Sequence, residues 1–480
     1  MVDPTPLQIA VVGHTNAGKT SLLRTLTRQA SFGEVADGPG TTRHVERIAL
    51  RIDGAPAVQF YDTPGLEDST ALLDYLQTLG KDATRLARVE AFLAGPEARQ
   101  SFEQEAKVLR KLLEVDAALY VIDCREPVLP KFRCEIEILA SCARPVMPVL
   151  NFVRAANSRE AEWQAVLSAS GLHAQVRFDA VAPFVGSEQQ LYHDLGTLLP
   201  RHREALRGVA THLQREFGER RAAGARLIAD LLVTLAALRR PITPEAFADA
   251  GQRARFVQDF QGLALARVRA CMDALLRVYG FRTDEADVAA MPWLHGRWQD
   301  DLFNPETLKL AGKRLGQGAA IGASLGLIAD IAVAGVSLGA GAVVGGAVGG
   351  MVTQGWRQFG QKLVNKLRGV QELSLENELL LVAATHLAGV LRALEQRGHA
   401  AVHKLGAGAP TDVATRDMAS LDEAAASDAG LRQLVTLAQP ARSHPRWDGQ
   451  GGETGQRQAL VDLLAQRLLA LLAGGAAPRR

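Results

Sequence analysis

The stretch Leu7–Ser21 reads LQIAVVGHTNAGKTS, and the rest of the chain is arranged around it. Its apolar half, Leu7 to Val12, has the length and composition of a buried strand. It runs into Gly13-His14-Thr15-Asn16-Ala17-Gly18-Lys19-Thr20, which matches the G-x-x-x-x-G-K-[ST] pattern, with Ser21 following. Leu22, Leu23 and Leu26 then recur at helical spacing. Strand, glycine loop and helix are the setting in which this pattern cradles phosphate. Gly13 and Gly18 let the backbone wrap closely around an anion. The loop N–H groups and the helix N-terminus supply partial positive charge. Lys19 is placed to reach β- and γ-phosphates, and the Thr20 hydroxyl to hold Mg²⁺.

The chain has 480 residues, too many for one ordinary core, so two or more domains are expected. A formal charge of +2 gives no global argument for nucleic-acid binding. Aromatics are scarce while Ala, Leu, Gly and Arg are plentiful, which favours helices over an all-β fold. Met1-Val2-Asp3-Pro4 does not open a secretory signal pattern. Cys124, Cys134, Cys142 and Cys271 lack C-x-x-C spacing and a nearby histidine pattern, so buried free thiols in a reducing cytosol are expected.

Downstream, Gly38-Pro39-Gly40-Thr41-Thr42-Arg43 reads as a loop. A threonine there can reach Mg²⁺ only while a γ-phosphate holds the loop, which is switch logic. Val45 to Ile52 and Ala57 to Tyr61 read as strands, the second ending at Asp62-Thr63-Pro64-Gly65. Asp62 can hold a metal through water, and the Gly65 N–H can sense the γ-phosphate. Ser69 to Leu113 reads as two or three inserted helices, either a partner or dimer surface or a packing elaboration. Ala117 to Asp123 and Pro145 to Leu150 are further buried strands, separated by a helix around Cys134 to Ser141. Gln175 to Val181 is the last strand of this part.

Taken together, Gly13–Ser21 with asparagine at its fourth position, Thr41-Thr42-Arg43-His44 and Asp62-Thr63-Pro64-Gly65 resemble the Era/TrmE-like branch of P-loop GTPases. The resemblance covers roughly the first third of the chain. It implies an α/β fold with a mostly parallel sheet, GTP as ligand and substrate, and Mg²⁺ held at Thr20, Thr42 and Asp62. It further implies Asn16 as a K⁺ ligand, and Lys19, Thr42 and Gly65 as the catalytic set. Leu66 stands where other GTPases place a water-positioning glutamine, leaving Glu67, Asp68 and Asp74 as alternatives or as solvated helix-start carboxylates. Of the family's Asn-Lys-x-Asp base motif only Asn151 is present. Phe152 replaces the lysine, and Arg154 replaces the aspartate that accepts from guanine. Arginine has no acceptor, so guanine selectivity has no visible source. Ala180-Val181-Ala182 is a poor match to the family's loop over the base.

Residues 1–187 are therefore expected to form the nucleotide domain, with its insertion at 69–113. Residues 188–440 read as an all-α domain, and 441–480 as a linker and a C-terminal helix. Gln190 to Leu238 reads as one nearly continuous helix, broken by Pro241 to Pro244. Its mixed-sign face is read as solvated rather than as a nucleic-acid surface. Between Arg314 and Arg357 the only charge is Asp330, and glycines recur every fourth residue. This Gly/Ala-rich hairpin, 316–355, fits either a cytoplasmic-sided insertion into the inner membrane or a hairpin buried in the domain. The function expected is a nucleotide switch coupled to a helical domain. A membrane-remodelling scaffold and an Era-like ribosome or RNA factor are the alternatives.

Overall fold

The computed structural model describes residues 6–29, 32, 45–80, 83–180, 183–281, 329–331, 371–396, 421–449 and 455–474. The chain divides into two units, 1–218 with 395–402, and 219–394 with 403–480.

In the first unit, β1 (Leu7–Val12), β2 (Glu46–Ile52), β3 (Ala55–Asp62), β4 (Ala117–Asp123), β5 (Val146–Asn151) and β6 (Val176–Arg177) form one sheet. Its order is β2-β3-β1-β4-β5-β6, and only the β2–β3 pairing is antiparallel. Asp53 and Gly54, both at positive φ (50° and 80°), make the tight hairpin turn that joins those two strands. Strand alternation sorts the core onto both faces. Ala117, Leu119 and Val121 pack on one face with Leu22, Leu23 and Leu26 of α1 (Lys19–Thr27). Ala118, Tyr120 and Ile122 pack on the other with the inserted helices. Those helices are α2 (Ser69–Thr78), α3 (Arg85–Ala94) and α4 (Glu103–Glu114), three as the upper expectation had it. β1 lies between β3 and β4, so the sheet changes direction of growth at the strand that feeds the glycine loop. Ligands of open α/β sheets bind at that place.

Two sequence expectations change in this unit. The last strand is only Val176–Arg177, shorter than the expected Gln175 to Val181. The expected continuous helix from Gln190 is interrupted, because α7 (Ser187–Leu198) ends before a short 3₁₀ turn at Pro200–His202. Proline lacks the N–H that continuation needs. α8 (Arg203–Ala237) starts directly after it.

The second unit is mainly helical, with one apolar cluster built from Ala225–Leu238, Phe260–Leu276, the helix Asn377–Glu395 and the helix Gly455–Gly474. It also carries a small sheet that the sequence reading omits. β7 (Arg239–Ile242), β8 (Ala329–Ile331) and β9 (Gln371–Leu375) pair antiparallel in the order β7-β9-β8. Pro241, read as a helix breaker, therefore lies in an edge strand, where a missing N–H is tolerated. Asp330, expected within a helical hairpin, lies in β8, opposite Ser374. Residues 316–328 and 332–355 of that hairpin lie outside the described residues. The expected linker after 441 is structured up to Gly449, with 3₁₀ turns at Gln439–Ser443 and Pro445–Trp447 and a buried Trp447. Asn377–Glu395 is long and apolar enough to cross a bilayer, but more than half of its most apolar window is buried within the protein.

Candidate nucleotide site

The loop leaving β1 is shaped by what surrounds it. Gly13 has φ 146°, and a Cβ there would stand 2.4 Å from the Val121 carbonyl oxygen, so β4 leaves no room for a side chain. Asn16 adopts φ 64°, a left-handed conformation that asparagine tolerates, and its side chain is exposed. Ala17 is buried, and Gly18 caps α1 at φ 93°. The Lys19 ammonium is folded back into the loop, donating to the carbonyls of Gly13 (3.2 Å) and His14 (2.9 Å). Burial pushes its pKa down, opposed by the charges of Asp62, Glu135 and Glu67. An ammonium whose hydrogen bonds go to two neutral loop carbonyls is placed to turn to an incoming anion.

Asp62 ends β3 beside it and is fully buried. The Thr20 hydroxyl donates to Asp62 Oδ2 at 2.5 Å, while Oδ1 is buried with no hydrogen-bond partner among the described residues. Burial pushes the Asp62 pKa up to about 6, against the lowering effects of Thr20 and Lys19. A hydroxyl and a half-satisfied carboxylate side by side are a donor set that fits Mg²⁺. Gly65 follows on the other side of the loop. A Cβ on it would meet Thr15 Oγ1 at 2.3 Å and the Thr15 backbone nitrogen at 2.7 Å. The structure thus gathers Gly13 to Ser21, Asp62 and Gly65 at the ends of β1 and β3. Thr42 lies outside the described residues.

The segment after Gly65 is fastened at several points. Leu66 is fully buried in the core, so its side chain faces away from the loop. Its N–H donates to the Gly13 carbonyl (3.4 Å), and its carbonyl lies 2.8 Å from His14 Nδ1. The same Nδ1 is 2.8 Å from Glu135 Oε1, on α5 (Pro130–Ser141), and His14 Nε2 is 2.9 Å from Lys131 Nζ. Nδ1 thus faces two oxygens and Nε2 the Lys131 side chain, so the ring ties the glycine loop to Leu66 and to α5. Tyr120 donates to the other Glu135 oxygen at 3.0 Å, which satisfies this buried carboxylate. The backbone N–H groups of Glu67 and Asp68 donate to Glu105 Oε1 at 3.2 and 3.0 Å. Asp68 itself caps α2 by accepting from the Ala71 N–H. His14 was expected only as a loop member. Its tie to Glu135, 121 positions away, has no local signal in the sequence.

Asn151, at the end of β5, is buried and joins three segments. Its Nδ2 donates to the Ala17 carbonyl (3.0 Å), and its Oδ1 accepts from the N–H groups of Phe152 and Ala180, each at 3.0 Å. Phe152 sits at φ 55°, with the Arg125 guanidinium 3.8 Å from its ring centroid. Asp123 holds that guanidinium through both carboxylate oxygens. Arg154 lies over Phe184, its guanidinium carbon 4.3 Å from the ring centroid. The Asn-Phe-Val-Arg stretch thus keeps a structural asparagine and replaces the two residues that would read a base.

Comparison with known proteins follows the same division. The model described as "50S ribosome-binding GTPase" matches residues 8–152. Among curated relatives, the tRNA modification GTPase MnmE of Beijerinckia indica is 30% identical over 211 residues, covering 44% of this chain and 38% of that protein. MnmE of Cereibacter sphaeroides is 44% identical over 71 residues, covering 14% of this chain and 16% of that protein. The chain therefore spans less than two-fifths of the length of these relatives. Among solved structures, Era in complex with MgGDPNP and nucleotides 1506–1542 of 16S ribosomal RNA is 19% identical. The match covers 36% of this chain and 50% of that chain, with a TM-score of 0.27. A probable GTP-binding protein engB is 14% identical over 40% of this chain and 99% of that chain, with a TM-score of 0.27. The N-terminal part is a P-loop GTPase domain of the MnmE/Era kind. The model described as "Domain of unknown function (DUF3482)" matches residues 164–466, well over half the chain, and the protein belongs to that family.

Proposed function

We propose that the protein is a Mg²⁺-dependent GTPase that works as a nucleotide switch, its state passed to the helical unit that follows in the chain. The observation that carries this is the buried pair of Lys19, after the glycine loop, and Asp62, at the end of β3, with Asp62 Oδ1 left without a hydrogen-bond partner among the described residues. Lys19 and the loop N–H groups bind the phosphates. Thr20 and Asp62 hold Mg²⁺, which supplies charge neutralisation at the phosphate oxygens. Gly65 presents its N–H toward the terminal phosphate, and its lack of a side chain allows the close approach to Thr15. By the resemblance, Thr42 would be a further Mg²⁺ ligand in the triphosphate state, and the exposed Asn16 would hold K⁺ beside the phosphates. Leu66, being core, takes no part in orienting water. That task falls to the switch backbone, to K⁺ or to another polar side chain.

Phosphate release from GTP, measured with Mg²⁺ in K⁺ or in Na⁺, tests this reading. Turnover that requires Mg²⁺, rises in K⁺ and vanishes in Lys19→Ala is expected. Turnover that persists in Lys19→Ala would remove the assignment.

A further inference from the structure

With Leu66 in the core, some other group has to hold the attacking water against the terminal phosphate. Such a group must stand at the terminal-phosphate end of the loop and have hydrogen-bonding capacity to spare. Thr15 meets both conditions. The Lys19 ammonium donates to the carbonyls of Gly13 and His14, the two residues immediately before Thr15. Thr15 therefore sits beside the cation that takes the β- and γ-phosphates. On its other side is Gly65, whose N–H the proposed site turns to the terminal phosphate. The atom nearest to a Cβ placed on Gly65 is Thr15 Oγ1, nearer than the Thr15 nitrogen or Cα. The hydroxyl thus lies in the seam between the loop and Gly65.

That oxygen is buried and has no hydrogen-bond partner among the described residues. A hydroxyl brings one donor and two acceptor positions, and buried polar atoms are nearly always partnered. Other threonines of this unit follow that rule. Thr25, Thr27 and Thr63 each donate to a backbone carbonyl, at 2.7, 2.7 and 2.8 Å. An unused hydroxyl at the mouth of the phosphate loop is capacity kept for what enters there. The neighbouring carboxylates suit the task less well. Glu67 and Asp74 are exposed, and Asp68 caps α2. A carboxylate beside a triphosphate adds like charge, whereas a neutral hydroxyl accepts from water and donates to a phosphate oxygen without that repulsion.

We infer that Thr15 is a catalytic residue for hydrolysis, its Oγ1 accepting from the attacking water and its O–H donating to a γ-phosphate oxygen. The inference rests on the nucleotide site proposed above and concerns only how that site places its water. The water oxygen bonds to the γ-phosphorus as the bond from phosphorus to the β–γ bridging oxygen breaks. The electron pair of that bond leaves with GDP, and the water's proton ends on the released phosphate.

Single-turnover hydrolysis of GTP and equilibrium affinity for GDP, both in Mg²⁺ and with the full chain, test it in the parent, Thr15→Val and Thr15→Ser. Valine keeps the shape of threonine without the hydroxyl, and serine keeps the hydroxyl without the methyl group. Thr15→Val should lower the hydrolysis rate constant about a hundredfold and leave GDP affinity within about threefold, because GDP lacks the terminal phosphate. Thr15→Ser should recover the rate to within about fivefold of the parent. The parent's rate in Thr15→Val overturns the inference. An equal loss in both variants traces the effect to packing of the methyl group and overturns it too. So does a Thr15→Val protein that loses GDP along with turnover, since the residue would then shape the loop. These three results leave the nucleotide site standing. A parent that binds GTP but shows no Mg²⁺-dependent hydrolysis, or binds neither nucleotide, overturns the proposed activity and this inference with it.

Discussion

Asp62 is an acid whose placement costs the empty protein stability. Burial lifts its pKa from 3.8 to about 6, so in the nucleotide- and metal-free protein the folded state binds more protons than the unfolded one between those values. Stability from this group falls as pH rises through that window, and the full penalty, on the order of 3 kcal/mol, applies above it. Asp62→Asn should therefore slow hydrogen exchange of the β1 and β3 amides at pH 7.5 in EDTA. The gain should shrink toward pH 4, and the same variant should lose Mg²⁺-dependent nucleotide binding. Faster exchange in Asp62→Asn at pH 7.5 would contradict the burial argument. Gly65 is a second test at this scale. An added Cβ collides with the Thr15 backbone, so Gly65→Ala should abolish GTP turnover while leaving GDP binding within about threefold, because GDP lacks the terminal phosphate.

At the level of elements, the loop after β1, the segment after β3 and α5 meet at His14. Removing the ring leaves the buried Glu135 carboxylate with the Tyr120 hydroxyl alone among its described hydrogen-bond partners, a loss of roughly 1–3 kcal/mol. His14→Ala should lower kcat about tenfold with little change in GDP affinity. Combined with Glu135→Gln, the stability losses should be clearly less than additive, which a double-mutant cycle measures. Full additivity would mean the two side chains act independently. The sequence announced β1, the loop, α1, β4 and β5 because each is a local pattern: an apolar run, a glycine motif or a helical repeat. It was silent on what depends on distant partners. β7 contains a proline and no alternation, and it becomes a strand only by pairing with β9, whose residues lie some 130 positions on.

Across the whole molecule, cysteine spacing points to buried free thiols, and Cys134 departs from that in being only half-buried. Burial pushes the Cys124, Cys142 and Cys271 thiols up to about 12, while Cys134 is half-buried. A thiol reagent at pH 8 should modify Cys134 first in the native protein and reach the other three only after denaturation. Rapid labelling of Cys124 would contradict the packing between β4 and β5. The two-part organisation was also legible, because the motif-bearing region and the long helical remainder differ in pattern. The family matches, 8–152 and 164–466, and the division of the structure after Gly218 each fall at a different place from the expected boundary after residue 187. The small sheet in the second unit is the part of this plan that composition could not show.

The most direct measurement is titration of the full chain with fluorescent GTP and, separately, fluorescent ATP, in Mg²⁺ and in EDTA, for the parent and for Lys19→Ala. Saturable binding to the parent, tighter for GTP, weakened in EDTA and lost by at least a hundredfold in Lys19→Ala is expected, given a buried ammonium and a buried carboxylate at one loop. Unchanged binding by a folded Lys19→Ala protein, or no binding by the parent, would contradict it.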